Sequence, residues 1–254
     1  RGVAGGDIVK EAWVVLYRPG HGRSVRHHNN VNGTCADAAR RRGTDVPAWG
    51  VSAAVVDSDR DGWIDLYGGN YLAYSTEHDE ACTTVTGQPD YCPPAAYKPT
   101  GDRLYHNRGD GTFTDVTMRA GVGGEARPAL GVSTADFNGD GWMDIYVAND
   151  STENFLWLNQ RNGTFKDVAL LAGVALDQGG DAEASMGVDA GDFDNDGDEE
   201  LFIPNSNSEG HTLYRNASGA SYVDWAASPG RRRARLRFPG FCAAWPGAAR
   251  PGGR

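Results

Sequence analysis

Three nine-residue segments of this 254-residue chain align without gaps. They are Asp57-Ser-Asp-Arg-Asp-Gly-Trp-Ile-Asp65, Asp136-Phe-Asn-Gly-Asp-Gly-Trp-Met-Asp144 and Asp192-Phe-Asp-Asn-Asp-Gly-Asp-Glu-Glu200. Their common pattern is D-x-[DN]-x-D-G-x-x-[DE]. Each copy follows a short β-like run (51–56, 131–135, 186–190) and precedes another (64–67, 143–148, 201–204). Out of phase with it runs a strand–turn–strand feature. Its clear copies are Leu104-Tyr-His-Asn-Arg-Gly-Asp-Gly-Thr-Phe-Thr-Asp-Val116 and Leu156-Trp-Leu-Asn-Gln-Arg-Asn-Gly-Thr-Phe-Lys-Asp-Val168, with weaker ones at 26–37 and 213–224. Asn-Gly and Asp-Gly between alternating residues are strong hairpin signals.

The two features keep phase. The unit is about 52–56 residues, with one insertion near 76–100. A further loop frame falls at Asp7-Ile-Val-Lys-Glu-Ala-Trp-Val-Val15, where Trp13 and Tyr17 align with Trp63 and Tyr67. There Val9, Ala12 and Val15 replace a ligand, the Gly and a second ligand, so this loop reads as decayed. Units of this length with several short strands predict an all-β fold of propeller blades. About four repeats predict a partial or open propeller. Helical periodicity is nearly absent; the best candidate is 116–120, one turn. The organisation expected is a repeat segment over 1–229 (1–48 degenerate, 76–100 a Cys-containing insertion) and an Arg/Gly/Pro-rich tail over 230–254, read as disordered.

Carboxylates packed this densely repel one another unless a cation lies between them. In a tight loop, positions 1, 3 and 5 point inward as hard oxygen ligands, Gly at position 6 permits the turn, position 7 offers a carbonyl and position 9 closes the site. That donor set suits Ca2+; Mg2+ demands stricter octahedral geometry and soft metals want Cys or His. A helix–loop–helix calcium site needs Glu at position 12. Here position 12 is Gly68, Val147 or Ile203. The bland alternative, an Asx-rich turn, weakens with three in-frame copies.

Formal charge is −10, but seven Arg and no acid lie in 230–254, so residues 1–229 carry 17 bases against 34 acids. A body this acidic repels nucleic-acid phosphate. No apolar run approaches the roughly 18 residues of a membrane span.

These motifs resemble the FG-GAP (VCBS-type) repeat of integrin α-subunits. They are more similar still to the cartilage acidic protein (ASPIC/UnbV-type) family, through Gly-Asp-Gly-Thr-Phe-Thr-Asp-Val (109–116), Ala120-Gly121-Val122, Asp144-Ile-Tyr-Val-Ala-Asn149 and the 187–198 stretch. The likeness is strong from Trp49 to Trp225. It implies a β-propeller with calcium loops between strands of successive blades, in an extracellular, periplasmic or cell-surface setting. The implied ligands are Asp57, Asp59, Asp61 and Asp65; Asp136, Asn138, Asp140 and Asp144; and Asp192, Asp194, Asp196 and Glu200. Trp63, Trp142 and Asp198 would lend carbonyls. No catalytic residue carries over.

Smaller signals have bland readings. Cys82 and Cys92 suggest a local disulfide in an oxidising compartment, with two free thiols the alternative. Zinc does not fit, because the pair is widely spaced and His78 is the only nearby His. Cys35 replaces Phe113 and Phe165 and reads as a small apolar substitute; Cys242 has no evident partner. Arg108-Gly109-Asp110 falls on a hairpin turn that already wants those residue types. Sequons occur at Asn32, Asn149, Asn162 and Asn216. Trp63 and Trp142 read as blade-to-blade packing, and His27 and His28 as surface. The function expected is non-enzymatic: a calcium-binding propeller with about three Ca2+ sites, serving adhesion or protein interaction with a protein or matrix partner. The alternatives are a propeller enzyme acting on polysaccharide, a lyase or hydrolase, and an accessory module of a larger secreted protein.

Overall fold

A computed structural model describes residues 2–225 apart from 9, 11–13, 31, 33, 46, 78, 207 and 208. Val9, Ala12, Trp13, His78, Cys242 and the 230–254 tail therefore lie outside the described residues.

Among the described residues, the alternating runs and Asx-Gly turns become four consecutive antiparallel sheets of four strands each, besides one two-stranded ribbon. The first holds β1 (Ala4–Gly6), β2 (Val15–Arg18), β3 (Val25–Asn29) and β4 (Cys35–Asp37). The second holds β5 (Gly50–Val56) and β6 (Asp65–Asn70) and, after a two-stranded ribbon of β7 (Cys82–Thr83) and β8 (Pro89–Asp90), β9 (Arg103–Asn107) and β10 (Phe113–Asp115). The third holds β11 (Ala129–Ala135), β12 (Asp144–Asn149), β13 (Phe155–Asn159) and β14 (Phe165–Asp167). The short helix α1 (Ala169–Ala172) follows. The fourth holds β15 (Asp189–Gly191), β16 (Glu200–Ile203), β17 (Thr212–Asn216) and β18 (Tyr222–Asp224).

Within every sheet the strands pair in chain order, each with the next. First strands pack beside first strands: β1 by β5, β5 by β11, β11 by β15. No comparable packing joins the first sheet to the fourth among the described residues. The sheets are thus propeller blades in an open row, as the repeat period predicts.

The hydrophobic core lies between blades rather than within one. Because successive side chains on a strand face opposite sides, Leu66 packs against Ile8, Val15 and Tyr17 of the first blade while its neighbour Tyr67 packs against Ile145 and Phe155 of the third. The third interface sets Tyr146 and Leu156 against Leu201 and Tyr214. The hairpin Phe reaches backward over the preceding blade: Phe113 joins the first interface and Phe165 the second.

That backward reach corrects the reading of Cys35. It aligns with those Phe yet is a free, exposed thiol, because no earlier blade lies beneath it among the described residues. The helix also sits elsewhere than expected. Residues 116–120 make a single turn, closed by Ala120 N–H to Val116 O at 2.7 Å. The α-helix forms at the repeat-equivalent Ala169-Leu-Leu-Ala172, a run of better helix formers. The run 186–190 becomes strand only at Asp189, since Gly187 is drawn against the neighbouring β11; a Cβ on Gly131 would lie 2.8 Å from the Gly187 carbonyl carbon.

Candidate metal centres

Each acidic segment is the loop joining the first and second strands of a single blade (β5–β6, β11–β12, β15–β16). It does not connect two blades, as the resemblance implied. The decayed frame occupies the same place, between β1 and β2.

Short-range hydrogen bonds build the loops. Position 1 accepts the Gly N–H of position 6: Gly62 to Asp57 at 3.1 Å, Gly141 to Asp136 at 2.6 Å, Gly197 to Asp192 at 3.1 Å. Position 5 accepts the N–H of position 7: Trp63 to Asp61 at 2.7 Å, Trp142 to Asp140 at 2.8 Å, Asp198 to Asp196 at 3.0 Å. The position-6 glycines have φ of 82°, 84° and 98°, which L-residues with a Cβ rarely adopt.

Position 9 is the buried floor. Asp65 and Asp144 are fully buried and Glu200 nearly so. One carboxylate oxygen accepts the position-2 N–H (Ser58 at 3.3 Å, Phe137 at 3.0 Å, Phe193 at 3.0 Å). The other accepts from the last residue of the third strand (Asn107 at 2.8 Å, Asn159 at 2.8 Å, Asn216 at 3.4 Å). Burial pushes all three carboxyls up despite these bonds. Asp144 rises to about 7, with Asp140 and Asp136 adding repulsion.

The structure brings Asp192, Asp194 and Glu200 together, with one oxygen from each within 4.8 Å of the others. At the first loop the convergent set is Asp59, Asp61 and His106. His106 Nδ1 lies 3.2 Å from Asp65 and 3.6 Å from Asp59. Asp57 Oδ1 is buried there without a protein hydrogen-bond partner. At the second loop Asn138 stands where the others have Asp, and Asn138 Nδ2 donates to Asp140 at 3.3 Å. Two arginines hold carboxylates on the loop rims: Arg161 reaches Asp140 at 2.9 Å, and Arg215 reaches Asp194 at 2.8 Å and Asp196 at 3.5 Å. The oxygen donors and the orphaned Asp57 oxygen fit a hard divalent cation, which would need to displace the two arginines from shared carboxylates.

Two groups of residues escape the nine-residue motif. His106 and Arg215 share one place in the hairpin, one residue before its Asn. The Asn itself, at 107, 159 and 216, is a staple between blades. Its amide donates to the position-2 carbonyl of the preceding loop: Asn107 to Ile8 O at 2.8 Å, Asn159 to Ser58 O at 2.7 Å, Asn216 to Phe137 O at 3.0 Å. Asn107 and Asn159 also hold the carbonyls of Ile64 and Met143 in their own loops. The recurring L-x-x-N of the hairpin copies carries this signal.

The smaller signals resolve. Cys82 and Cys92 form a disulfide. Trp63 lies under Lys10, 4.1 Å from ring centre to Nζ, and Trp142 under Arg60 at 4.7 Å, so both rings do bridge neighbouring loops. The Asp110 carboxylate turns back onto Thr112, accepting its N–H at 2.8 Å. Of the sequon residues, Asn149 and Asn216 are buried, whereas Asn32 and Asn162 are exposed on turns. His27 and His28 are half-buried on β3.

The sequence model of the FG-GAP-like repeat matches residues 87–147 and again 136–203. Residues 87–203 are thus similar to FG-GAP-like repeats. The FG-GAP-like stretch contains the second and third acidic loops. The chain is 35% identical to human cartilage acidic protein 1 over 123 residues, 44% of this chain and 17% of that protein. It is 34% identical to the mouse protein over 118 residues (44% and 17%) and 36% identical to that of Xenopus tropicalis over 105 (40% and 15%). The matched region thus spans about one-sixth of the length of these relatives. Among solved structures, an Agrocybe aegerita lectin specific for non-reducing terminal N-acetylglucosamine superimposes with a TM-score of 0.45 at 16% identity, over 87% of this chain and 50% of the lectin. An exotype rhamnogalacturonan lyase gives 0.43 at 14%, over 87% and 48%. No helix among the described residues is long and apolar enough to cross a membrane.

Proposed function

We propose that these FG-GAP-like blades bind Ca2+ in their acidic loops and act, without catalysis, as an adhesion or protein-interaction module in an oxidising space outside the cytoplasm. The observation that carries the calcium reading is the convergence of Asp192, Asp194 and Glu200 oxygens within 4.8 Å, over a buried position-9 carboxylate that recurs in all three loops. The donors would be Asp57, Asp59, Asp61 and Asp65; Asp136, Asn138, Asp140 and Asp144; and Asp192, Asp194, Asp196 and Glu200, with carbonyls from Trp63, Trp142 and Asp198. Bound Ca2+ would supply charge neutralisation and a strand-to-strand tie. The disulfide supports the compartment. The adhesion or interaction role is carried over from the resemblance of the repeats to the FG-GAP type.

Thermal unfolding with added CaCl2 and with EDTA tests the reading. A higher Tm in calcium is expected, and identical melting curves would sink it. Asp140→Ala should remove one equivalent of bound calcium by calorimetry while the Asp57 and Asp192 loops keep theirs. A polysaccharide lyase or hydrolase on the same blades is the competing reading. It would require an acid and a base converging on a substrate cavity, and turnover of a polysaccharide by the purified chain would establish it.

A further inference from the structure

The second blade has a chemically distinct end. β6 leaves the acidic loop at Asp65 and runs to Asn70, which places its two ends roughly 20 Å apart. Past Asn70 the chain enters the insertion. The insertion's base is closed by backbone bonds, Tyr71 N–H to Trp49 O at 2.8 Å, Ala73 N–H to Lys98 O at 2.8 Å and Thr100 N–H to Tyr71 O at 2.9 Å. The Cys82–Cys92 disulfide ties its tip. Against this insertion lies a cavity of about 430 Å3 whose walls include Trp49, Tyr71, Tyr74, Tyr91 and Tyr97.

The rings meet at steep angles: Trp49 and Tyr71 at 89° with centroids 5.2 Å apart, Tyr74 and Tyr97 at 85° and 5.5 Å, Trp49 and Tyr74 at 54° and 5.6 Å. They form the sides of a box rather than one flat platform. Two hydroxyls are tied down, Tyr71 to Asp150 and Tyr97 to Asp79 at 2.9 Å, which fixes those rings. Asp79, Glu80 and Asp90 also line the cavity, while no Lys or Arg does among the described residues, and His21 packs behind it with its ring 5.4 Å from those of Trp49 and Tyr74. Aromatic faces carry negative quadrupole potential, and carboxylates beside them add to it.

We propose that this cavity binds an organic cation bearing an alkylated, quaternary-type ammonium group. Such a charge is diffuse and weakly hydrated, so it exchanges water for ring faces at little cost. A neutral sugar would favour a flat ring with mixed donors and acceptors around it; here the charged groups are all acceptors. The ammonium could belong to a free small molecule or to an alkylated lysine of a partner.

The test is isothermal titration of the full chain in calcium-containing buffer. The probes are choline, its uncharged carbon analogue 3,3-dimethylbutan-1-ol, a trimethyl-lysine peptide and glucose. Choline or the peptide should bind saturably, with the uncharged analogue at least about tenfold weaker than choline. Tyr74→Leu should weaken the cation by about tenfold and the surface change Glu80→Gln by a few-fold; Glu80→Gln is expected to melt like the parent, which separates loss of the site from loss of the fold. A peptide much tighter than choline assigns the source to a partner chain, and the reverse assigns it to a free metabolite. No saturable binding of either cation, equal binding of the uncharged analogue, or saturable glucose binding without cation binding would each overturn the proposal.

Discussion

Asn159 shows how much one side chain can hold. Its amide bridges Ser58 O in the second blade and Met143 O in the third, its Oδ1 accepts Arg161 N–H at 2.9 Å, and its own N–H bonds Asp144. Removing it leaves buried carbonyls unpaired, so Asn159→Ala should cost about 2–4 kcal/mol in urea unfolding. Asn159→Asp should cost at least as much, because a carboxylate then faces two carbonyl oxygens. Asp102 is a second such residue. It is buried, accepts Asn70 N–H at 2.8 Å and Tyr67 O–H at 2.9 Å, and desolvation pushes its carboxyl from 3.8 to about 7. The folded protein then holds this proton more tightly than the unfolded chain. That contribution is complete below the ordinary value and is lost as pH rises through about 7. Asp102→Asn should therefore flatten the fall in unfolding free energy between pH 4 and 8, by up to roughly 4 kcal/mol. A residual slope should remain from Asp144, which titrates in the same window.

Elements add context that a motif lacks. The hairpin Phe and Cys35 occupy one repeat position, but Phe165 fills the interface with the second blade and Cys35 is exposed. Phe165→Ala should cost about 3–5 kcal/mol by chemical denaturation, whereas Cys35→Ser should stay within about 0.5 kcal/mol. In the loops, Gly141 combines φ of 84° with a neighbour: a Cβ would lie 2.9 Å from Arg60 Nη2. Gly141→Ala should lower stability by about 1–2 kcal/mol and weaken calcium at the second loop, read by calorimetry as a change in one site alone.

At the scale of the molecule, the acidity is organised rather than spread. The three loops hold 13 of the 34 acids, and the arginines on the rims of the second and third compete for the same carboxylates. Arg215→Ala frees Asp194 and Asp196, so calcium should bind the third loop several-fold more tightly by titration. Weaker binding would show that Arg215 shapes the loop instead of blocking it. Repeats that each bury one face on a neighbour also make stability a property of interfaces. The Tm gain from calcium should thus exceed what any single-loop variant removes.

The acidic loops were readable because their bonds are local. Asp at position 1 reaches the Gly N–H five residues on, and Asp at position 5 the N–H two residues on, so residue order alone dictates the turn. The hairpins were readable for a related reason: a short turn pairs a strand with the next, as in β9–β10, β13–β14 and β17–β18. The period likewise set the number of blades. The tertiary structure alone decided what lies across an interface. Asn159 and Ser58 are 101 residues apart, yet their bond joins two blades, and Cys35 is exposed because no earlier blade lies beneath it among the described residues. The same holds for His106 beside Asp59 and for the aromatic box, whose Trp49 and Tyr97 line one cavity only when the insertion folds back on the segment after β6. Local sequence specifies hydrogen bonds a few residues long, but which faces become buried is settled only when the blades stack.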